Sequence, residues 1–378
     1  MVGDYATIFD RVRGSLLGGA VGDALGWPIE FLRLEQIRAQ HGPDGVTGFL
    51  PAYVQDEAQQ ITDDTQMTLF TAEGLLRATP GVDALPALRR SYLRWLQTQR
   101  QDEPTAQPDG WLAGLPFLYA VRAPGNACMS GLGKQARGYI APSPLGESGP
   151  VNPESKGCGT VMRSAPFGLA GMGSERAFSL AAQAAQLTHG HPTGYFAAGA
   201  FAALIDRVVS GIELPIALQQ TLAQLAEFPK AAETVGALER AIEAAETPAT
   251  AEQLETVGAG WIAEECLAIA VYCALHAAKT GDLRAALLLS VNHSGDSDST
   301  GAVAGNLIGA VHGLSRLPMD LVAAGEGRDV LIQVAGARYT RVTCSGSGRA
   351  ARSNFPLTVS GSSASTTHAS GTMCAGSR

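Results

Sequence analysis

Charged side chains are scarce in this sequence, 16% of 378 residues against roughly 25% in ordinary soluble domains. Those present are unbalanced: 27 Lys and Arg face 35 Asp and Glu, a formal charge of −8. A broad basic face for nucleic acid is therefore not expected. The six cysteines (Cys128, Cys158, Cys266, Cys273, Cys344 and Cys374) include no CxxC pair, which argues against a disulfide scaffold or a structural zinc site. No charge-free apolar run reaches the roughly 18 residues of a membrane span. The Met-Val-Gly-Asp-Tyr start lacks the pattern of a signal peptide. A reduced cytoplasmic setting, with no membrane and no nucleic-acid partner, is the expectation. Gly-x-Ser-x-Gly and HExxH are also missing, so neither a serine-hydrolase elbow nor a zinc-protease helix is supported.

Apolar residues, at 46%, are ample for a core. Their periodicity predicts helices over 11–26, 65–78, 85–99, 174–187, 194–210, 212–226, 231–246, 260–279 and 301–314. Helical character returns near 329–334, and strand-like alternation is rare. The expected fold is all-α, a single compact multi-helix domain over 8–335. No acid follows Asp329 while five arginines do, so residues 1–329 carry −8 − 5 = −13. The stretch 344–378 is mostly Ser, Gly, Thr and Ala. It has too little apolar surface to offset its ordering entropy and reads as a disordered tail.

Glycine is abundant, 45 residues, and two runs of it recur every four positions: Gly14, Gly18, Gly22, Gly26 and Gly301, Gly305, Gly309, Gly313. Each glycine inside a helix costs up to about 1 kcal/mol relative to alanine, so two such stripes call for a reason. Close approach of two helix backbones supplies one. The stripes predict central core helices that bring their flanking loops together.

Three groups of acids stand at helix ends. Thr62-Asp63-Asp64-Thr65 precedes an apolar helix. One acid suffices to cap a helix, whereas two adjacent ones repel unless a cation or proton intervenes. Asp296-Ser297-Asp298-Ser299-Thr300 opens another helix with oxygen donors suited to magnesium, manganese or calcium. An EF-hand is excluded, because counting from Asp296 places Leu307 where a bidentate Glu is required. Asp23 and Glu30 sit among apolar residues at the end of the first glycine helix, a poor place for an unpaired charge. Spacing and composition therefore lead to an oxygen-ligated divalent-cation site at converging helix ends, with hydrolytic chemistry. Ser155 to Thr160 is a glycine-containing loop that could offer amides to a phosphate without P-loop spacing. Thr188-His189-Gly190-His191-Pro192 reads more readily as a loop than as a metal site.

Five ordered segments, Gly14 to Phe31 (GSLLGGAVGDALGWPIEF), Thr62 to Thr68 (TDDTQMT), Ser155 to Pro166 (SKGCGTVMRSAP), Thr188 to Pro192 (THGHP) and His293 to Gly301 (HSGDSDSTG), together resemble the ADP-ribosylglycohydrolases. The resemblance runs from about Phe9 to Val334. It implies an all-helical enzyme with two divalent cations, Mg2+ or Mn2+, that removes ADP-ribose from a modified protein, ADP-ribosyl-arginine first. Other ADP-ribosyl linkages, or ADP-ribose binding without catalysis, are the alternatives. All five acids Glu30, Asp63, Asp64, Asp296 and Asp298 are present, which favours catalysis.

Carried onto this chain, the resemblance makes Thr62, Asp63 and Asp64 ligands of one cation. Asp296 with Ser299 or Thr300 binds the other, and Asp298 bridges. Asp298 or Glu30 would orient or deprotonate the attacking water. Ser155, Gly157, Cys158, Gly159 and His189 would bind the pyrophosphate, distal ribose or adenine. Asp109, in a Pro-Asp-Gly setting, is matched to a further family acid at the substrate.

Overall fold

Two glycine-striped helices set the geometry from which the rest follows. The computed structural model describes residues 5–51 and 58–345, with side chains described to residue 337. In chain order the helices are α1 (Tyr5–Gly26), α2 (Leu34–His41), α3 (Asp63–Arg77), α4 (Leu85–Thr98), α5 (Asn126–Arg137), α6 (Ala165–Leu169), α7 (Ser174–Ala185) and α8 (Pro192–Val209). They continue as α9 (Leu214–Ala226), α10 (Ala232–Ala244), α11 (Ala251–Glu255), α12 (Ala263–Thr280), α13 (Leu283–Leu289), α14 (Ser297–His312), α15 (Met319–Ala324) and α16 (Arg328–Ser345). Among the described residues there is no strand, only isolated bridges between Gln59 and Gly325 and between Gly157 and Ile262. None of the described helices is long and apolar enough to cross a membrane.

A Cβ placed on Gly14, Gly18, Gly22 or Gly26 would collide with the carbonyl of Gly309, Gly305, Gly301 or Ser297 respectively. Each step of four residues along α1 is matched by four residues backward along α14, so the pair is antiparallel, backbone against backbone. That closeness is what glycine permits and any other residue forbids. It also fixes function's address. The C-terminal end of α1, leading through the turn Trp27–Ile29 to Glu30, lies beside the N-terminal end of α14, where Asp296 and Asp298 stand.

The remaining helices pack around this pair. α3 packs against α4, and α8, α12 and α14 meet in the interior. All eighteen residues of α8 are buried, consistent with an apolar run that has no polar face. Phe178, Tyr195, Phe196 and Phe228 form an aromatic cluster with ring centroids 4.6 to 6.2 Å apart.

Periodicity located most of the long helices, caught α16 only around 329–334, and missed α2, α5, α6, α11, α13 and α15, which are short or, in α5, rich in glycine and polar residues. The helix expected from residue 194 starts at Pro192, since a proline at the first position loses no hydrogen bond there. The His191 Nδ1 caps it by accepting from the amide of Thr193 at 3.3 Å. The stretch 344–378 expected as a tail lies outside the described residues except for Cys344 and Ser345, which end α16.

Candidate active site

Asp23 organises the first acidic segment. Fully buried on α1, its carboxylate accepts from the Thr62 amide (3.0 Å), the Thr65 amide (3.1 Å) and the Thr65 hydroxyl (2.5 Å). One acid thus holds the N-terminal turn of α3 against α1. From the other side Arg122 donates to the Ile61 carbonyl and pairs with Glu326 at 2.5 Å, while Glu326 accepts from the Ile61 amide. With its backbone fixed on both flanks, the turn presents Asp63 and Asp64 inward. Asp63 Oδ2 accepts from the amide of Gly125 (3.2 Å), and Asp64 Oδ1 is buried with no partner among the described residues.

Asp296, Asp298 and Ser299 approach from α14. Asp298 Oδ1 accepts from the Ser299 amide (2.8 Å), and the Cys158 thiol lies 2.8 Å from Asp296 Oδ2. Glu30 completes the group, with Oε2 buried and without a partner among the described residues. Carboxylate oxygens of Glu30, Asp296 and Asp298 all lie within 4.8 Å of one another. This spread is what a single divalent cation with 2.0–2.6 Å ligand bonds can span. The orphaned oxygens of Glu30 and Asp64 are the sign that something positive belongs here. On chemistry and geometry the residues fit a hard cation.

These acids line a cleft of about 360 Å³ whose walls include Ser155, Gly157, Cys158, Gly159 and His189. At its rim Phe31, 69% exposed, stacks on Trp261, 43% exposed, with centroids 5.8 Å apart and planes 21° off parallel. Trp261, Gly125 and Asn126 carry no motif, because each enters the cleft from a loop or helix end far along the chain.

Burial raises every carboxyl of the group, and for the neighbours of Asp298 repulsion adds to it. Burial, then Asp298, pushes Asp23 up to about 7 despite the hydrogen bonds that oppose it. Burial, then Asp298, Asp296, Asp63 and Asp23, pushes Glu30 up to about 10. Asp63, Asp64 and Asp296 also rise well above the usual carboxylate range, for burial first and Asp298 next.

A pH dependence follows. Folding raises the affinity of Asp23 and Glu30 for protons above that of the unfolded chain, where they titrate near 3.8 and 4.5. Their contribution to stability is therefore fully present below about pH 4 and is lost as pH rises through 7 toward 10. Metal-free protein should melt at a higher temperature at pH 5 than at pH 8, and saturating Mg2+ or Mn2+ should flatten the difference. Calorimetry with and without chelator checks this; a higher melting temperature at pH 8 in chelator contradicts it.

Two expectations need correction. Thr300 does not face the cleft. Its hydroxyl lies 2.7 Å from the Ser290 carbonyl, 2.8 Å from the Asp296 carbonyl and 2.8 Å from His293 Nε2, which commits it to bracing the loop before α14. Ser299 is the hydroxyl on the cleft wall. Asp109 lies outside the cleft lining, its side chain 68% exposed and 3.4 Å from Arg94. The phosphate-cradle reading of residues 155–159 also narrows. The Ser155 amide is spent on the Asn152 carbonyl and the Cys158 amide on that of Trp261.

The fold and site together define an all-helical protein with an acid cluster able to hold a divalent cation. A family model described as ADP-ribosylglycohydrolase matches residues 4–347, and the chain belongs to that family of glycosyl-bond hydrolases. It is 25% identical over 345 residues to the ADP-ribosyl-[dinitrogen reductase] glycohydrolase of Rhodospirillum rubrum, covering 87% of this chain and 98% of that one. To the ADP-ribosylarginine hydrolase Tri1 of Pseudomonas putida it is 26% identical, over 83% of this chain and 73% of the relative. To the mouse ADP-ribosylhydrolase ARH3 it is 25% identical, over 87% and 91%. A solved structure titled ADP-ribosylglycohydrolase-related protein complex superposes with a TM-score of 0.58 at 25% identity, over 89% of this chain and 99% of that one.

Proposed function

We propose that the protein is a divalent-cation-dependent hydrolase that removes ADP-ribose from modified arginine side chains of proteins. The observation that carries this reading is the convergence of Glu30, Asp296 and Asp298 in a cleft that Asp63 and Asp64 also line. The arginine linkage is supported by the similarity to a relative named as an ADP-ribosylarginine hydrolase.

Thr62, Asp63, Asp64, Asp296, Asp298 and Ser299 are the residues that would hold one or two cations, Mg2+ or Mn2+. Bound there, such ions supply Lewis-acid polarisation of ribose oxygens and a more acidic water. Cleavage at the ribose C1″ builds oxocarbenium character, and the surrounding carboxylates are placed to favour that positive charge. Asp298 or Glu30 orients the attacking water and takes its proton. His189 and the loop of Ser155, Gly157, Cys158 and Gly159 contact the pyrophosphate or distal ribose, and the stacked Phe31 and Trp261 offer a flat apolar face to the adenine.

Release of free ADP-ribose from an arginine-ADP-ribosylated protein is expected with Mg2+ or Mn2+ and not with chelator. Absence of release, with ADP-ribose still bound, would move the reading to another linkage.

A further inference from the structure

Arg163 is 1% exposed, and among the described residues no carboxylate pairs with it. Its Nη1 donates to Cys128 Sγ at 3.3 Å, its Cζ lies 4.7 Å from the centre of the Tyr92 ring, and its Nη2 donates to Thr188 Oγ1 at 2.7 Å. Thr188 Oγ1 in turn lies 2.7 Å from His189 Nδ1. The other edge of that imidazole lies against the glycine loop that lines the cleft with it: Cβ atoms built on Gly157 and Gly159 would stand 3.4 and 3.3 Å from Nε2.

We propose that Arg163 and Thr188 are positioning residues that hold His189 with its proton on Nε2, making it a hydrogen-bond donor to an acceptor oxygen of the ligand's phosphate or ribose. The inference rests on the reading of the cleft as an ADP-ribosyl site. A hydroxyl has one proton and two lone pairs. The guanidinium occupies a lone pair, leaving the proton to choose between the Ala185 carbonyl at 3.2 Å and His189 Nδ1 at 2.7 Å. The shorter contact is of hydroxyl-donor length, below the usual N–H···O distance near 2.9 Å. The charge-assisted bond from Arg163 polarises the hydroxyl and strengthens it as a donor. The same positive field disfavours an N–H directed toward it and favours the Nδ1 lone pair. Burial and Arg163 push the His189 pKa down to about 3, so the ring is neutral and only one nitrogen carries the proton. With Nδ1 accepting, the proton is on Nε2.

The test is nitrogen NMR of full-length protein labelled with ¹⁵N-histidine, His189 being assigned by the signals lost in His189→Gln. The native protein should show His189 protonated at Nε2 alone. Thr188→Val and Arg163→Met should each shift the ring toward the Nδ1–H form. Thr188→Val should also weaken ADP-ribose binding about tenfold, the scale of one hydrogen bond, and Thr188→Ser should restore both readouts. A native ring protonated at Nδ1, or a Thr188→Val variant with unchanged tautomer, overturns the proposal. An unchanged tautomer in Arg163→Met removes Arg163 from it. Lack of any ADP-ribose binding by native protein would overturn the ribosyl reading instead, while the tautomer still decides the relay.

Discussion

Asp298→Asn is expected to lower ADP-ribose release by about a thousandfold or more, some 4 kcal/mol of transition-state stabilisation, while raising the melting temperature of the metal-free protein. The two effects have one origin. After burial, repulsion by Asp298 is the largest cause that raises Asp23, Glu30, Asp63, Asp64 and Asp296. Without a cation, its negative charge is buried at 3% exposure among like charges, an arrangement the folded state tolerates only by keeping protons bound. Asparagine keeps the shape and removes the repulsion. With the charge goes the differential affinity for cations, so the stabilisation that Mg2+ or Mn2+ gives by mass action should shrink toward zero. Melting curves with chelator and with metal, beside turnover of an arginine-ADP-ribosylated protein, separate the outcomes. Retained turnover would remove Asp298 from the chemistry, and a lower metal-free melting temperature would mean that its hydrogen bonds outweigh its repulsion.

The acids were legible because two adjacent carboxyls, or Asp-x-Asp, at the start of an apolar helix make poor sense without a counter-charge. The glycine stripes were legible for a related reason, a recurring cost that only helix contact explains. What the sequence left open was direction. Ser299 and Thr300 are chemically alike and adjacent, and about 100° of helix rotation turns one hydroxyl to the cleft and the other to the Ser290 carbonyl. Asp109 carries a plausible motif and lacks the burial. The role of Asp23 as the clasp of Thr62 and Thr65 needed the two helices in place, since some forty residues separate the partners. Arg163 lies in the Ser155 to Pro166 segment, but that no carboxylate pairs with it among the described residues appears only when its buried surroundings are known.

The glycine stripe gives the second large effect, and one substitution type with opposite signs at two sites. Gly18→Ala places a methyl group against the carbonyl oxygen of Gly305, a contact with backbone that no side-chain rotation relieves. The helices must part, and the apolar contacts along α1 and α14 loosen with them. A loss above about 4 kcal/mol is expected, in the range reserved for damage to a packed core. Gly236 in α10 is half-buried and would meet only the flexible end of Arg240, 3.6 Å away. Gly236→Ala should therefore stabilise by about 0.5–1 kcal/mol, the helix preference of alanine over glycine. Denaturant unfolding of both variants decides it. If Gly18→Ala is as benign as Gly236→Ala, the stripe is not a backbone contact, and the approach of Glu30 to Asp298 needs another cause. If it is severe, variants of intermediate cost along the stripe should lose cation affinity in step with stability, because the spacing of α1 and α14 is also the spacing of the carboxylates that would share the cation.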